Sequence, residues 1–376
     1  MTLAVRNFEA FDMALSIPAD ELSACVDHGL NGIAKYCPAA VLPTAQWVLS
    51  ARAQELGIGP EGLRSANGSC ELIRCLDGWL ALNLARETDW QLLNAWLETD
   101  AILSSWQAVR GILAGRLSLP LQERGREMGL PLARLESDAV LPRSKANPLS
   151  LDLAMALDHR PSLPRSLAEA KVVDLSALWA GPLCAHLLQR CGAQVTTVSS
   201  PHRPDGAQAG SPTLYEQLHL GHELLQLDFN DSEQRQVLAE LLRGADVVIE
   251  ASRPRALHAL GLDRQALSIN QPQIWLSITA YGRTPPADQW VGFGDDVAVS
   301  AGLVAWDRVG QPSFVGDALA DPLTGVYSAL AVIDAMARGN SGLLDFSMAA
   351  LAQQCRQKIV RAGNSVTCPL EAAATC

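Results

Sequence analysis

Two adjacent aspartates, Asp295 and Asp296, follow Gly294 in the segment GFGDDVAVSAGL, and this pairing suggests acid–base chemistry. Neighbouring carboxylates repel each other, which raises the pKa of one of them and leaves one acid beside one base. A structural role is also compatible with the pattern. Aspartate after glycine is typical of a helix N-cap, where its oxygens accept backbone N–H bonds and complement the helix dipole. Both roles can coexist, so the sequence leaves them open.

A second candidate site is the turn Ala180-Gly181-Pro182, inside a strand–turn–helix–strand unit at residues 172–201. The first strand is apolar, the helix ends at Cys191-Gly192, and the second strand is rich in β-branched residues. A dinucleotide site needs G-x-G-x-x-G after the strand, whereas this turn has one glycine followed by proline. These residues alone are compatible both with an ordinary βα turn and with a turn that binds a ligand.

Strands and helices continue to alternate after this unit, and arginines follow two of the strands. The continuous apolar run at residues 247–250 predicts a buried parallel strand, and residues 273–279 predict the next one. Arg253 and Arg283 follow these strands, and a guanidinium is a planar, two-pronged donor that suits phosphate oxygens. This alternation predicts an α/β fold with a doubly wound, Rossmann-like parallel sheet, whose ligands bind at the carboxyl ends of the strands.

The chain divides into five predicted segments: a mainly helical segment at 1–60, a smaller α+β domain at 61–135, a linker at 136–168, a Rossmann-like domain at 169–350, and a C-terminal helix and tail at 351–376. The linker is predicted from its prolines and charges. In the α+β segment, residues 70–75 and 79–84 predict a hairpin. Thr88-Asp89-Trp90 predicts a helix cap there, and further helices are predicted at residues 106–117 and 119–128.

Composition excludes several classes of protein. The chain has 376 residues, of which 48% are hydrophobic, as in a globular protein with room for two domains. Its net charge of −11 argues against general nucleic-acid binding, which needs a basic surface. No apolar run is long enough to span a bilayer, and no signal peptide is evident, so we expect no membrane partner. The nine cysteines lack C-x-x-C spacing, so we expect no metal site. Their scattered positions predict small core residues of a protein in the reducing cytoplasm.

Several spaced motifs resemble those of the family III CoA-transferases, the CaiB/BaiF group. Residues 172–182 have the pattern V-x-D-L-S-x-x-x-A-G-P, and residues 187–195 have L-L-x-x-x-G-A-x-V. Residues 245–254 have A-D-V-x-x-E-x-x-R-P, and residues 316–325 have G-D-x-x-x-D-x-x-x-G. The resemblance extends over about residues 61–350. The domain order differs from the family's, because the small-domain-like segment precedes the large domain, as in a circular permutation or a fragment of a tandem protein.

The resemblance implies an acyl-CoA:carboxylate CoA-transferase. In that reaction an aspartate attacks the acyl-CoA, forms a mixed anhydride and then an aspartyl–CoA thioester, which the acceptor acid resolves. A carboxylate suits this role because it is ionised at pH 7 and its anhydride is activated toward thiolate. The family's spacing places Gly294 at the nucleophile position, with Asp295 one residue later. Asp295 is the leading candidate, and Asp296 or a chain without covalent transfer are the alternatives.

Two other functions are compatible with the same scaffold. Racemases of the family use a histidine and an aspartate, whose positions correspond here to Phe293 and Asp317. Because phenylalanine cannot act as a base, that route is disfavoured, and an isomerase of another kind or another acyl-CoA enzyme is the first alternative. The second is a catalytically degenerate homologue that binds CoA thioesters without turnover.

The resemblance also implies where coenzyme A binds. The implied contacts are Trp179, Ala180, Gly181 and Pro182 in the first βα turn, Arg203 after the second strand, Arg253 and Arg283. Trp179 would stack on adenine, although packing is the commoner fate of tryptophan. A surface role at a strand end is equally compatible with Arg253. We expect no permanently bound cofactor and no metal, with acyl-CoA and a carboxylic acid as substrates. Family members form dimers, which predicts a homodimer here.

Overall fold

The computed structural model describes residues 19–135, 155–156 and 160–361. Its α-helices are α1 (Ala19–Tyr36), α2 (Ala45–Leu56), α3 (Glu87–Leu97), α4 (Trp106–Leu113), α5 (Ser118–Glu127), α6 (Ala180–Arg190), α7 (Gly206–Gly210), α8 (Pro212–Leu218), α9 (Ser232–Gly244), α10 (Pro254–Ala259), α11 (Gly294–Ser300), α12 (Ala320–Ala337) and α13 (Met348–Arg361). Its strands are β1 (Cys70–Cys75), β2 (Gly78–Asn83), β3 (Leu132–Leu135), β4 (Met155–Ala156), β5 (Arg160–Pro161), β6 (Lys171–Asp174), β7 (Gln194–Ser199), β8 (Glu223–Gln226), β9 (Val247–Glu250), β10 (Ile274–Thr279), β11 (Ala305–Trp306), β12 (Pro312–Ser313) and β13 (Asn340–Ser347).

Six of these strands form a parallel sheet in the order β8-β7-β6-β9-β10-β13. Counted along the chain, the order is 3-2-1-4-5-6, which is the doubly wound Rossmann arrangement. The predicted α/β fold class is therefore confirmed. Two short strands from the predicted linker, β4 and β5, pair antiparallel with β13 at one edge of the sheet.

Apolar side chains alternate between the two faces of the large sheet, which is why helices pack on both sides. Val172 and Ile249 contribute to the same core as residues of α6, α12 and α13. Their neighbours Val173 and Val248 contribute to a separate core with residues of α9. Because both faces are covered at the centre of the sheet, β9 is buried throughout and almost entirely apolar, whereas β8 at the edge is mostly exposed.

The smaller α+β domain is a three-stranded antiparallel sheet, β1-β2-β3, with α3, α4 and α5 packed on one face. Its first hairpin pairs Cys75 with Gly78 across the two-residue turn Leu76-Asp77. On the opposite face, Leu72 shares a core with Val299 of the large domain. Both sheets are thus joined at α11, and the predicted second part of the fold is confirmed.

Helices α1 and α2 pack on the large domain, with α1 lying against α12. Two glycines of α1 allow this close approach. A Cβ at Gly29 would lie 2.5 Å from Val326 Cγ1, and a Cβ at Gly32 would lie 2.7 Å from Leu330 Cδ2. A side chain at either position would push the helices apart, and α2 follows α1 onto the same domain.

Two helix boundaries in the small domain differ from the prediction. Helix α3 is capped by Arg86 instead of Thr88, because Asp89 in the first turn accepts the backbone N–H of Arg86 at 2.9 Å. The helix predicted at residues 106–117 is shorter, since the chain turns at residues 114–116. There Arg116 N–H donates to the Leu113 carbonyl at 3.0 Å.

Some predictions fall on residues outside those described. These are the first part of the helical segment, residues 1–18, most of the linker at 136–168, and the tail after residue 361. In the part of the chain that the structure describes, none of the helices combines the length and apolar character needed to cross a membrane.

Candidate active site

Asp295 lies in the first turn of α11, where the large domain meets the small sheet. The residue is 5% exposed, and its Oδ1 accepts a hydrogen bond from the Ala318 backbone N–H at 3.0 Å. Burial raises the pKa of Asp295 to about 6, the charge of Asp317 adds to this rise, and Arg52 opposes it. Asp295 is therefore mostly ionised at pH 7 and poorly solvated, which suits a carboxylate nucleophile.

Asp296 is fully buried and satisfies the start of the same helix. Its Oδ1 accepts hydrogen bonds from the Phe293 backbone N–H and the Asn83 side-chain amide, both at 3.0 Å. Its Oδ2 has no hydrogen-bond partner within the described residues. Burial raises the pKa of Asp296 to about 7, and the charge of Asp295 contributes. The capping role inferred for the pair thus belongs to Asp296, which is partly protonated at neutral pH.

Asp317 and Asp321 complete a group of four carboxyls, which we call the aspartate cluster. Burial raises the pKa of Asp321 to about 7, with the other three carboxyls adding to the rise. Gly294 makes this crowding feasible, because a Cβ there would lie 2.2 Å from the Ala318 carbonyl oxygen. This backbone has no room for a side chain at position 294, which is where the family's spacing would place its aspartate.

One guanidinium, that of Arg52 in α2, neutralises part of the aspartate cluster. Its Nε donates to Asp317 Oδ2 at 2.7 Å, and its Nη2 donates to Oδ1. The guanidinium carbon also lies 5.0 Å from the centroid of the Trp179 ring. Nothing in the sequence of residues 1–60 marks Arg52, because a single arginine on an ordinary helix has no distinctive spacing.

Trp179 is the N-cap residue of α6, at the end of the β6–α6 turn. It is 3% exposed, so its ring packs inside the protein instead of lying open to an incoming ligand. The contact with Arg52 connects this turn to the aspartate cluster through Asp317. The structure therefore links the two candidate sites through Arg52, a residue that no motif had indicated.

The rest of the β6–α6 turn is tightly packed. Ala180, Gly181 and Pro182 are all buried at the start of α6. A Cβ at Gly181 would lie 2.0 Å from Ser176 Oγ, so only glycine fits there. Leu178 adopts a left-handed φ of 70°, and its backbone N–H donates to Asp205 Oδ1 at 3.0 Å. Leu178 thus presents backbone and an exposed side chain at the carboxyl edge of the large sheet.

Four arginines gather near this edge, and we call Arg86, Arg203, Arg253 and Arg255 the arginine cluster. Burial lowers the pKa of Arg253, and the charges of the other three lower it further. Among the described residues, no carboxylate forms an ion pair with Arg253 or Arg203. Arg86 is paired with Asp89, whose Oδ1 lies 2.5 Å from Arg86 Nη2. In a chain with a net charge of −11, the remaining positive charge makes this edge a candidate site for an anion.

Arg283 has a different environment from the arginine cluster. Its Nη1 donates to Glu250 Oε1 at 3.1 Å and to Ser277 Oγ at 2.7 Å. Its backbone N–H donates to Asp345 Oδ2 at 3.1 Å. Burial raises the pKa of Glu250, and the charge of Arg283 opposes this rise. In this structure Arg283 therefore balances a buried carboxylate at the ends of β9 and β10.

The small domain supplies the opposite wall of the site. The Arg86 guanidinium lies 5.8 Å from the centroid of the Phe293 ring, two residues before Asp295. The guanidinium carbon of Arg126 lies 3.9 Å from the centroid of the Trp290 ring and 4.9 Å from that of the Tyr281 ring. Both rings belong to the loop after β10. Both domains of one chain therefore border the aspartate cluster.

Three known proteins illustrate how far similarity extends. A succinate–glutarate CoA-transferase of Agrobacterium fabrum is 31% identical over 219 residues, and the match covers 52% of this chain and 55% of that relative. An acetyl-CoA:oxalate CoA-transferase of Acetobacter aceti is 28% identical over 182 residues, covering 46% and 47%. The crystal structure of a CaiB/BaiF family protein from Brucella suis is 27% identical, with a TM-score of 0.48, covering 54% and 59%. The chain spans about half the length of the curated relatives it matches.

A family-level match covers the part of the chain that contains most of the candidate site. Residues 167–359, just over half of the chain, match CoA-transferase family III. This stretch includes the β6–α6 turn, Arg203, Arg253, Asp295 and Asp296. The chain therefore belongs to CoA-transferase family III.

Proposed function

We propose that this protein transfers coenzyme A between an acyl-CoA and a carboxylic acid, with Asp295 as the nucleophile. The observation that carries the proposal is the environment of Asp295. This carboxylate is 5% exposed, lies between two domains and accepts the Ala318 backbone N–H at 3.0 Å, and burial raises its pKa to about 6. Close by, Arg86 of the arginine cluster contacts the Phe293 ring. Family membership supports the same reaction.

The proposed reaction proceeds in two halves. A carboxylate oxygen of Asp295 attacks the thioester carbonyl carbon. The C–S bond breaks, the CoA thiolate departs, and a mixed anhydride forms between the acyl group and Asp295. The thiolate attacks the aspartyl carbonyl carbon, which releases the donor carboxylate and forms an aspartyl–CoA thioester. The acceptor carboxylate then attacks this thioester, and the expelled thiolate attacks the acceptor's carbonyl carbon. The products are a new acyl-CoA and the free Asp295 carboxylate.

Neighbouring groups would assist these steps. The Ala318 N–H that donates to Asp295 Oδ1 is placed to stabilise negative charge when the aspartyl carbonyl is attacked. Asp296, with its pKa raised to about 7, carries a proton part of the time and so repels the Asp295 charge less than a fixed anion would. Arg52 offsets the charge of Asp317 beside them.

The proposed CoA site is the carboxyl edge of the large sheet. Arg203 and Arg253 are assigned to its phosphates, because both lack a described carboxylate partner and guanidinium matches phosphate geometry. Ala180, Gly181 and Pro182 would form the floor of this site at the start of α6. Trp179 and Arg283 are assigned supporting roles, since Trp179 packs on Arg52 and Arg283 pairs with Glu250.

Three further points belong to this proposal. A racemase reaction is not proposed, because Phe293 has no titratable group and Asp317 is paired with Arg52.

We propose a homodimer and a cytoplasmic location, as the resemblance to the family implies. Size-exclusion chromatography with light scattering tests the homodimer, and a monomer at micromolar concentration would contradict it.

The test of the proposal combines exchange and trapping. The protein is incubated with succinyl-CoA or acetyl-CoA and with succinate, glutarate, oxalate and longer acids, and new thioesters are identified by mass spectrometry. Incubation with acyl-CoA alone should give a covalent CoA adduct that maps to Asp295. Asp295→Asn should lose both exchange and adduct. Asp100→Asn, at an exposed carboxyl in a loop, should keep both.

Two outcomes would overturn the proposal. Exchange at the wild-type rate in Asp295→Asn would show that another group is the nucleophile. CoA binding without exchange or adduct, across the panel of acids, would instead assign the chain to the non-catalytic CoA-binding alternative.

A further inference from the structure

A cavity of about 500 Å³ lies away from the aspartate and arginine clusters, near the amino ends of β6 and β7. Its walls are the turn after α1, the segment before β6, the end of α6 and the end of α12. Cys37 and Cys191 both line it, on elements that are far apart in sequence. Small water-borne reagents can therefore reach both thiols.

The two thiols line the same cavity and are near enough to share a side-chain hydrogen bond. Cys37 lies one residue after α1, where its N–H donates to the Ile33 carbonyl at 2.9 Å. Cys191 is the C-cap residue of α6, where its N–H donates to the Leu187 carbonyl at 3.2 Å. Burial raises the pKa of Cys191, and a side-chain hydrogen bond with Cys37 raises it further. Both residues are only partly buried.

A second thiol pair in the same chain provides a comparison. Cys25 of α1 and Cys355 of α13 also share a side-chain hydrogen bond. They are 1% and 0% exposed, deep in the large core. The hydrogen bond with Cys355 lowers the pKa of Cys25, so acidity alone would favour oxidation of the buried pair. The two pairs also differ in access, and access decides which thiols an oxidant in solution can modify.

We propose that Cys37 and Cys191 form a reversible intramolecular disulfide when the protein meets a hydroperoxide oxidant. The Cys37 thiolate attacks one peroxide oxygen, the O–O bond breaks, and a first water leaves after protonation, giving a sulfenic acid. The Cys191 sulfur then attacks the Cys37 sulfur, the S–O bond breaks and a second water leaves. Two thiols are oxidised and one hydrogen peroxide is reduced to two waters.

The cross-link would fix the N-terminal helices on the large domain. Cys37 lies between α1 and α2, while α6 ends at Cys191 and begins beside Trp179. Trp179 packs on Arg52, a residue of α2 that donates a hydrogen bond to Asp317 of the aspartate cluster. The disulfide closes a loop of more than about 100 residues, and a cross-link that closes a longer loop constrains the unfolded chain more. It would therefore stabilise the arrangement that holds Arg52.

The test treats the whole protein with a small excess of hydrogen peroxide, blocks the remaining thiols by alkylation and maps the digest by mass spectrometry. A Cys37–Cys191 cross-linked peptide should form and should disappear after dithiothreitol. Cys25 and Cys355 should not cross-link under the same conditions. The oxidised protein should unfold at a temperature higher by about 5 °C.

Single variants make the outcome decisive. Cys37→Ser and Cys191→Ser should each abolish the cross-link and the thermal shift, and Cys191→Ser should leave a sulfenic acid at Cys37 that dimedone captures. Recovery of Cys37 and Cys191 as alkylated thiols after peroxide treatment would overturn the proposal. So would cross-linking of the buried pair at an equal rate, because access would then not be the deciding property.

Discussion

The Arg52 guanidinium holds Asp317 through two hydrogen bonds, from Nε to Oδ2 at 2.7 Å and from Nη2 to Oδ1. The two residues are 265 positions apart in the chain. Arg52 is the cation that offsets the burial of Asp295 and Asp321, whose pKa values are raised to about 6 and about 7. Burial is the largest influence on the pKa of Asp295, and Arg52 opposes the rise that burial and Asp317 cause.

Replacing Arg52 should shift the pH dependence of CoA transfer. Without the guanidinium, the pKa of Asp295 rises further, because a nearby positive charge favours the ionised carboxyl. In Arg52→Gln the acidic limb of kcat/KM against pH should move up by about one unit, with the rate recovering at alkaline pH. Arg110→Gln, which removes an ion pair with Glu71 away from the site, should leave the profile in place. A uniform loss of rate at every pH in Arg52→Gln would contradict this role.

Gly294→Ala should damage both the fold and the site. Its Cβ would lie 2.2 Å from the Ala318 carbonyl oxygen, so backbone must move next to the N–H that binds Asp295. We expect a loss of about 1–3 kcal/mol in the free energy of unfolding, measured by urea denaturation, and loss of transfer activity. Gly111→Ala is the matched control, because nothing lies within 4 Å of its Cβ in helix α4. That change should stabilise by about 0.5–1 kcal/mol, and equal effects of both substitutions would refute the steric argument.

Arg253→Gln should weaken CoA binding without unfolding the protein. Loss of a charged hydrogen bond to phosphate costs about 1.5–3 kcal/mol, which corresponds to an increase in Kd of about ten- to hundred-fold. Isothermal titration with CoA measures this change, which should shrink at high salt because the interaction is electrostatic. Arg243→Gln, on the exposed last turn of α9, should leave Kd unchanged. An unaltered Kd in Arg253→Gln would remove Arg253 from the CoA site.

Asp296→Asn should make the protein more stable at alkaline pH. The folded-state pKa of Asp296 is raised to about 7, so the folded protein holds its proton where the unfolded chain has already lost it. Stability contributed by this group is therefore present at low pH and lost as pH rises toward the folded pKa. Asparagine keeps an acceptor for the Phe293 N–H and carries no charge. The free energy of unfolding of Asp296→Asn, relative to that of the wild type, should therefore rise by about 2 kcal/mol between pH of about 5 and about 8.

Urea denaturation at the two pH values measures that advantage, with the exposed Asp100→Asn as the control. An advantage that stays constant with pH would show that Asp296 titrates in its usual range. Destabilisation at both pH values would show that its hydrogen bonds, and not its charge, dominate.

Local patterns predicted most of the fold because each depends on residues only a few positions apart. Helix α2, for example, follows the N-cap Thr44 and ends before Gly57, which has a left-handed φ of 63° that glycine adopts without strain. Asp231 caps α9 by accepting the N–H groups of Glu233 and Gln234. The prediction failed at Thr88, because the neighbouring carboxylate of Asp89 accepts the backbone N–H of Arg86 and makes Arg86 the cap residue.

Candidate site residues were predicted less completely. The resemblance drew attention to Asp295, Asp296 and Arg253, but the spacing placed the nucleophile at Gly294, where no side chain fits. Arg52 carries no motif and was not predicted. A role for it depends on α2 packing beside Trp179, which no local pattern reports.

The sequence by itself determined the alternation of strands and helices and the resemblance to the family, since these follow from periodicity and short motifs. Only the tertiary structure decided which distant groups share a site. Asn83 and Asp296 are 213 residues apart, yet they share a hydrogen bond. Burial of the aspartates, which raises their pKa values, arises only when two sheets close over them. Charge and solvation depend on every neighbour in space, and the raised pKa of Asp295 is therefore a consequence of packing.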